Sequence, residues 1–140
     1  MARRGFSLLE LTVVLVIAGI IVALALPRLT SVRDAAAVRG AVGELGALYA
    51  AARQEAIARR AAVTIRIDTA GGAVELRVGD ARLLRRALGE TYGVGLGTNR
   101  DSTVYDPRGI GVGLSNVTIV VRRGTMVDTL AMSRLGRVRW

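Results

Sequence analysis

The 140-residue chain is 51% hydrophobic and carries 20 basic side chains, all arginine, against 11 acidic ones, for a net charge of +9. It contains no cysteine and no histidine, which excludes disulfides, thiolate ligands, histidine zinc sites and histidine acid–base catalysis. A pI near 11.5 points to an anionic partner, either nucleic acid or a lipid head-group surface, or else to a solvated basic exterior, since many arginines alternate with apolar residues as outward strand positions do.

The chain begins Met1-Ala-Arg-Arg-Gly-Phe-Ser-Leu-Leu-Glu10, and from Val13 to Leu26 there is no charge. As a helix, Phe6 to Leu26 would span about 30 Å, one bilayer hydrocarbon thickness. Arg3 and Arg4 should hold the short basic end in the cytoplasm, which places everything after Pro27 beyond the inner membrane. A secretory signal peptide would need a shorter apolar core and a small-residue cleavage site after it. Here the apolar run is longer and leads straight into Pro27-Arg28 with no convincing A-x-A site. A plain signal anchor fits the length but leaves Glu10 unexplained: a carboxylate at mid-bilayer costs up to about 2.5–3.5 kcal/mol and marks function.

Gly5-Phe6-Ser7-Leu8-Leu9-Glu10 resembles the type III signal of type IV prepilins and pseudopilins. The resemblance implies that a prepilin peptidase cuts between Gly5 and Phe6 and N-methylates Phe6. It also makes Glu10 the fifth residue of the mature chain, where the family places a buried glutamate facing the N-terminal amine of a neighbouring subunit. Such pairing is what makes a buried charge tolerable. Pro27 lies where family members carry a proline. The implied partners are the prepilin peptidase, other major and minor pseudopilins or pilins, the inner-membrane assembly platform and the lipid bilayer; no cofactor is implied.

Past Pro27, Leu29, Val32, Ala36, Ala41, Leu45, Leu48, Ala52 and Ala56 recur near helical spacing, with Arg28, Arg33, Arg39, Glu44, Arg53 and Arg59 at other positions. The pattern predicts an amphipathic continuation of the first helix to about Arg60, kinked or locally unwound at Pro27. Gly40, Gly43 and Gly46 each cost about 1 kcal/mol in a helix interior relative to alanine. Close packing of filament helices, melting on assembly and tolerance of glycine all account for them. The expected organisation is a leader at 1–5, a transmembrane helix at 6–27, the amphipathic helix at 28–61 and a globular head at 62–140.

In the head the period becomes two. Val63, Ile65 and Ile67 alternate with Thr64, Arg66 and Asp68, and after Ala70-Gly71-Gly72 the residues Val74, Leu76 and Val78 alternate with Glu75 and Arg77. That is a hairpin with one buried face. Further strands are expected near Arg82–Arg86, Thr103–Tyr105, Val117–Arg122, Thr125–Met132 and Gly136–Trp140. The fold class is α+β: a long N-terminal helix packed against an antiparallel meander. The glycine runs 93–97 and 109–113 lack the following helix and acidic partner of a phosphate loop and read as flexible connections. Asp68, Asp80, Asp101, Asp106 and Asp128 are isolated, with neither a carboxylate pair nor a calcium-loop spacing, and the serines have no histidine to activate them. No enzyme and no metal site is expected.

Two stretches narrow the family. Arg53 to Ile65 and Met132 to Arg139 are similar to the helix end, first strand and closing strand of H-type minor pseudopilins and FimT-like minor pilins, whereas the middle, from about Gly79 to Asn116, carries no such likeness. The resemblance implies a minor subunit of a type II secretion pseudopilus or, alternatively, a type IV minor pilin that binds DNA for transformation. Gly136-Arg137-Val138-Arg139 matches a Gly-Arg-x-Arg motif associated with DNA binding in FimT-like pilins. Alternation would set Arg137 and Arg139 on one strand face about 7 Å apart. Such a pair binds phosphates without reading sequence, and Trp140 could stack on a base. The competing reading is an edge strand whose solvated arginines discourage aggregation.

Overall fold

A computed structural model of the chain describes residues 7–112, 117–132 and 138–139, with the backbone alone at 25–27 and 138–139. The chain divides into two compact units, residues up to 33 and residues from 34 onward. One helix, α1 (Leu8–Arg59), supplies the described part of the first unit and enters the second. Helical backbone continues through Pro27, which has no N–H to give the Ala23 carbonyl, and through all three of the glycines at 40, 43 and 46.

The second unit, the head, is built on the C-terminal half of α1. Val38, Ala41, Val42, Leu45, Leu48, Tyr49, Ala52 and Ala56 are buried, at the three- and four-residue steps that align side chains on one helix face. The buried stripe begins at Val38 and not at Leu29: Leu29 and Val32 belong to the first unit, which carries no strand among its described residues, and both are exposed.

Among the described residues, nine strands form two antiparallel sheets over that stripe. In the first, β1 (Val63–Asp68), β2 (Ala73–Val78), β3 (Ala81–Ala87), β5 (Ser102–Tyr105) and β6 (Gly111–Val112) lie in the order β3-β2-β1-β5-β6. In the second, β4 (Gly95–Thr98), β7 (Val117–Arg123), β8 (Met126–Met132) and β9 (Val138–Arg139) lie in the order β4-β7-β8-β9. The hairpin expected from the sequence is present, with Ile65 opposite Leu76 and Ile67 opposite Val74. The α+β class therefore holds, but the single meander does not. After β3 a five-residue helix, α2 (Leu88–Tyr92), turns the chain away from the first sheet, and β4 pairs with β7 instead.

Two segments read as flexible connections are strands, β4 and β6. In β4 only Leu96 offers a side chain to the core, and it is buried between Gly95 and Gly97. Glycine is depleted in strands because it brings no packing, so the period-two signal vanishes there although the ladder forms. Val63, Ile65, Val74 and Leu76 from the first sheet and Leu96, Val117, Ile119, Val121, Leu130 and Met132 from the second join the helix stripe in one core.

The core holds one polar pair worth a prediction. The Tyr49 ring is fully buried, and the buried Thr103 hydroxyl donates to its phenol oxygen at 3.5 Å. Burial pushes the Tyr49 phenol up from 10.0 to about 12, against the weaker opposing effect of Thr103. Tyr105 is also raised by burial, with Arg53 opposing. Below pH 10 both states keep neutral phenols and this contribution to stability is complete. As pH climbs from 10 to 12 the unfolded phenol ionises first, so stability falls by roughly 2–3 kcal/mol for Tyr49 alone. Denaturant titrations at pH 9 and at pH 11.5 should show that loss, and Tyr49→Phe should flatten most of it.

Candidate functional site

The first turn of α1 is built by Ser7 and Glu10. The Glu10 amide donates to the Ser7 hydroxyl at 3.2 Å, and the Leu11 amide donates to the Ser7 carbonyl at 3.1 Å. Ser7 is thus the N-cap, and Ser7-Leu8-Leu9-Glu10 has the serine-to-glutamate spacing of a capping box, a local signal the membrane reading of this segment passed over. Glu10 also puts its carboxylate at the positive end of the helix dipole, in the first turn. Gly5 and Phe6, the expected cleavage pair, lie outside the described residues.

Beyond this turn the helix is apolar on every side. From Leu8 to Leu24 each large apolar side chain is exposed, from 49% at Val13 to 83% at Leu8. An 18-residue window here has a mean hydropathy of 2.8, long and apolar enough to cross a membrane. A helix hydrophobic all round is stable only when something apolar surrounds it, either a bilayer or other helices.

In the head, β9 is an edge strand of the second sheet among the described residues. Val138 pairs with the buried Met132 and Arg139 with the exposed Ala131. The structure thus places Arg139 at a sheet edge, and Gly136, Arg137 and Trp140 lie outside the described residues. Glu10 and Arg139 fall in different units of the chain.

Alongside the apolar core, a set of polar contacts that pattern reading missed ties the helix to α2, β3 and the β7–β8 turn. Arg123, at the end of β7, donates to the Asp34 carboxylate on α1 at 2.8 Å and to the carbonyl of Tyr92 at the end of α2. The β7–β8 hairpin turns through Gly124 at φ 55°, and a Cβ there would stand 2.6 Å from an Asp34 carboxylate oxygen. The Tyr92 ring lies over Gly40, where a Cβ would come within 2.8 Å of a ring carbon. Gly40 thus serves packing within this head, while Gly43 faces open space. Glu44 accepts a hydrogen bond from the Tyr92 phenol, which holds that phenol above its usual pKa, and pairs with Arg86 at 3.4 Å. Two helix carboxylates, Asp34 and Glu44, thereby receive α2, β3 and the β7–β8 turn. No sequence period marks such contacts, because their partners are far apart in the chain.

Among the described residues no group of three or more acidic side chains could hold a metal ion. The geometry offers an apolar helix for a lipid or helical environment and a two-sheet head with β9 at a sheet edge among the described residues.

Known proteins share this arrangement. Residues 1–26 match the prokaryotic N-terminal methylation motif, and residues 41–136 match the model of the type II transport protein GspH. A pilin-like protein of Thermus thermophilus, PilA1, is 33% identical over 99% of both chains. Two crystal structures of the type IV minor pilin FimU of Pseudomonas aeruginosa are similar in fold. One, with a TM-score of 0.63, covers 73% of this chain and 86% of that one; the other, at 0.60, covers 72% and 90%; both are 18% identical. A methylation-motif helix leading into a two-sheet head that matches GspH across both sheets places the chain in the GspH family of pilin-like proteins.

Proposed function

We propose that the chain is a minor subunit of a type II secretion pseudopilus, a structural and non-enzymatic component. In this reading it is inserted in the inner membrane with its N-terminus in the cytoplasm, cut by prepilin peptidase between Gly5 and Phe6, and methylated on Phe6. It then enters the filament with Glu10 facing the amine of a neighbour, and its head meets other minor subunits. The observation that carries the proposal is the exposed apolar surface from Leu8 to Leu24 on a chain whose head matches GspH, because that surface needs a bilayer before assembly and neighbouring helices after it. Deleting the gene should stop export of secreted enzymes while leaving type IV pili intact. Normal secretion together with lost pili or lost transformation would reject the secretion role.

A second reading, a minor pilin that binds DNA, is favoured by the pilin-like relative aligned over the whole chain and by Arg139 on an edge strand. It requires DNA affinity that weakens steeply with salt, since neutralised phosphates release counterions. It also requires that Arg137→Ala with Arg139→Ala abolish that binding; unchanged affinity in the double variant rejects it.

A further inference from the structure

The outer face of the first sheet concentrates arginine. Strand register sets Arg66 opposite both Glu75 and Ser102, and Thr64 opposite Arg77. It further sets Arg77 opposite Arg82, and Glu75 opposite Arg85. Arg77, Arg82 and Arg85 all turn to the one Glu75 carboxylate, at 3.6, 3.3 and 3.4 Å. One carboxylate cannot neutralise three guanidinium groups, and like charges directly opposite each other destabilise a sheet. Arg66, the fourth arginine of this face, has no ion-pair partner within 4 Å among the described residues.

Between β1, the β2–β3 turn and β5 this face opens into a cavity of about 260 Å³ lined by Thr64, Arg66, Arg77, Gly79, Asp101 and Ser102. Arg66 and Arg77 stand at diagonal positions of the β1–β2 pair, about 7–8 Å apart; Arg77 gives one N–H to the Asp80 carbonyl at 2.6 Å, and its remaining donors can converge with the Arg66 fork on one small anion. The Thr64 hydroxyl adds a donor from a neighbouring register position, and the Ser102 hydroxyl, which donates to Asp101 at 3.5 Å, can turn from that carboxylate to an anion. Planar guanidinium forks match tetrahedral oxyanions, and each charge-assisted bond to such a group is among the stronger contacts a surface can make. Asp101 is the dissenting group: its carboxylate lines the same cavity and opposes an anion.

We propose that this cavity is a binding site for a phosphate-type oxyanion, held by Arg66 and Arg77 with Thr64 and Ser102 donating to it. The site lies on the first sheet, whereas β9 lies in the second, so it is separate from the C-terminal arginine pair and independent of which filament the chain joins. A partly relieved cluster of like charges is the driving force, and Asp101 sets its upper limit.

The test is calorimetric titration of inorganic phosphate into the full chain in nonionic detergent at low ionic strength. Wild type should bind one phosphate saturably. Arg66→Gln, at an exposed position without an ion pair, should keep the fold by circular dichroism and weaken binding about tenfold, the loss of one charge-assisted contact. Asp101→Asn should tighten binding a few-fold, on the order expected from removing one nearby like charge at a surface. Absence of saturable binding in wild type, unchanged affinity in Arg66→Gln, or weaker binding in Asp101→Asn would each overturn the proposal. Adding phosphatidylglycerol to the micelles distinguishes the sources: displacement of phosphate assigns a lipid headgroup, and retention assigns a free phosphate, both within the proposed chemistry.

Discussion

Replacing Glu10 with alanine should leave a chain that inserts in the membrane and folds its head, yet enters filaments at least tenfold less often than wild type. The helix itself should tolerate the change. Its N-cap contact runs from the Glu10 backbone amide to the Ser7 hydroxyl, which alanine retains, and only the dipole interaction of about 0.3–1 kcal/mol is lost. Insertion should not suffer, because removing a carboxylate from an apolar helix lowers its cost in the bilayer. Assembly is different. If the Glu10 carboxylate meets the amine of an incoming subunit away from water, removing it strands that amine, and an uncompensated buried charge costs on the order of 3–5 kcal/mol. Since about 1.4 kcal/mol is a factor of ten, the block should be severe. Quantifying the chain in sheared filaments against the membrane fraction checks this; equal incorporation of Glu10→Ala would remove Glu10 from the assembly step. Glu10→Gln, which keeps shape and loses charge, should fail nearly as badly.

The second large effect should come from Leu45→Ala. Leu45 is fully buried on α1, in the core cluster that holds both sheets. Truncation loses transfer energy and leaves a cavity, together about 2–5 kcal/mol. For a unit the size of this head that corresponds to a fall in Tm on the order of 10–20 °C. Val127→Ala is the matched control, since Val127 on β8 is 62% exposed and should shift stability by no more than about 0.5 kcal/mol. Near-ultraviolet circular dichroism melts of the full chain in detergent would separate the two. A similar small shift for both would mean that Leu45 does not pack the core as described.

Where residues repeat with a period, the fold could be read directly. The stripe from Ala41 to Ala56 and the alternation through Val63–Ile67 and Val74–Val78 predicted a helix and a hairpin that are both present, because period and buried face are one and the same constraint. The reading failed where the chain carries glycine or where order depends on distant partners. β4 and β6 are short and glycine-rich, so they leave almost no alternation, and the division into two sheets depends on α2 turning the chain after β3. Leu29 and Val32 share the helical period yet are exposed, because sequence period cannot tell which stretch of a long helix has strands lying on it.

Candidate residues were legible to the same extent. A carboxylate at position 10 in an apolar run announces itself, and so do two arginines two residues apart before Trp140. The contacts of Asp34 with Arg123 and of Gly40 with Tyr92, and the meeting of Arg66 with Arg77 in one cavity, join residues that only the folded register brings together.

For a subunit that is processed and then polymerised through its first helix, the most direct measurement is the intact mass of the chain recovered from sheared filaments. That mass should be of a species lacking residues 1–5 and carrying one added methyl group on Phe6. Recovery of the uncut chain, or its absence from filaments while it accumulates in the membrane, would contradict it.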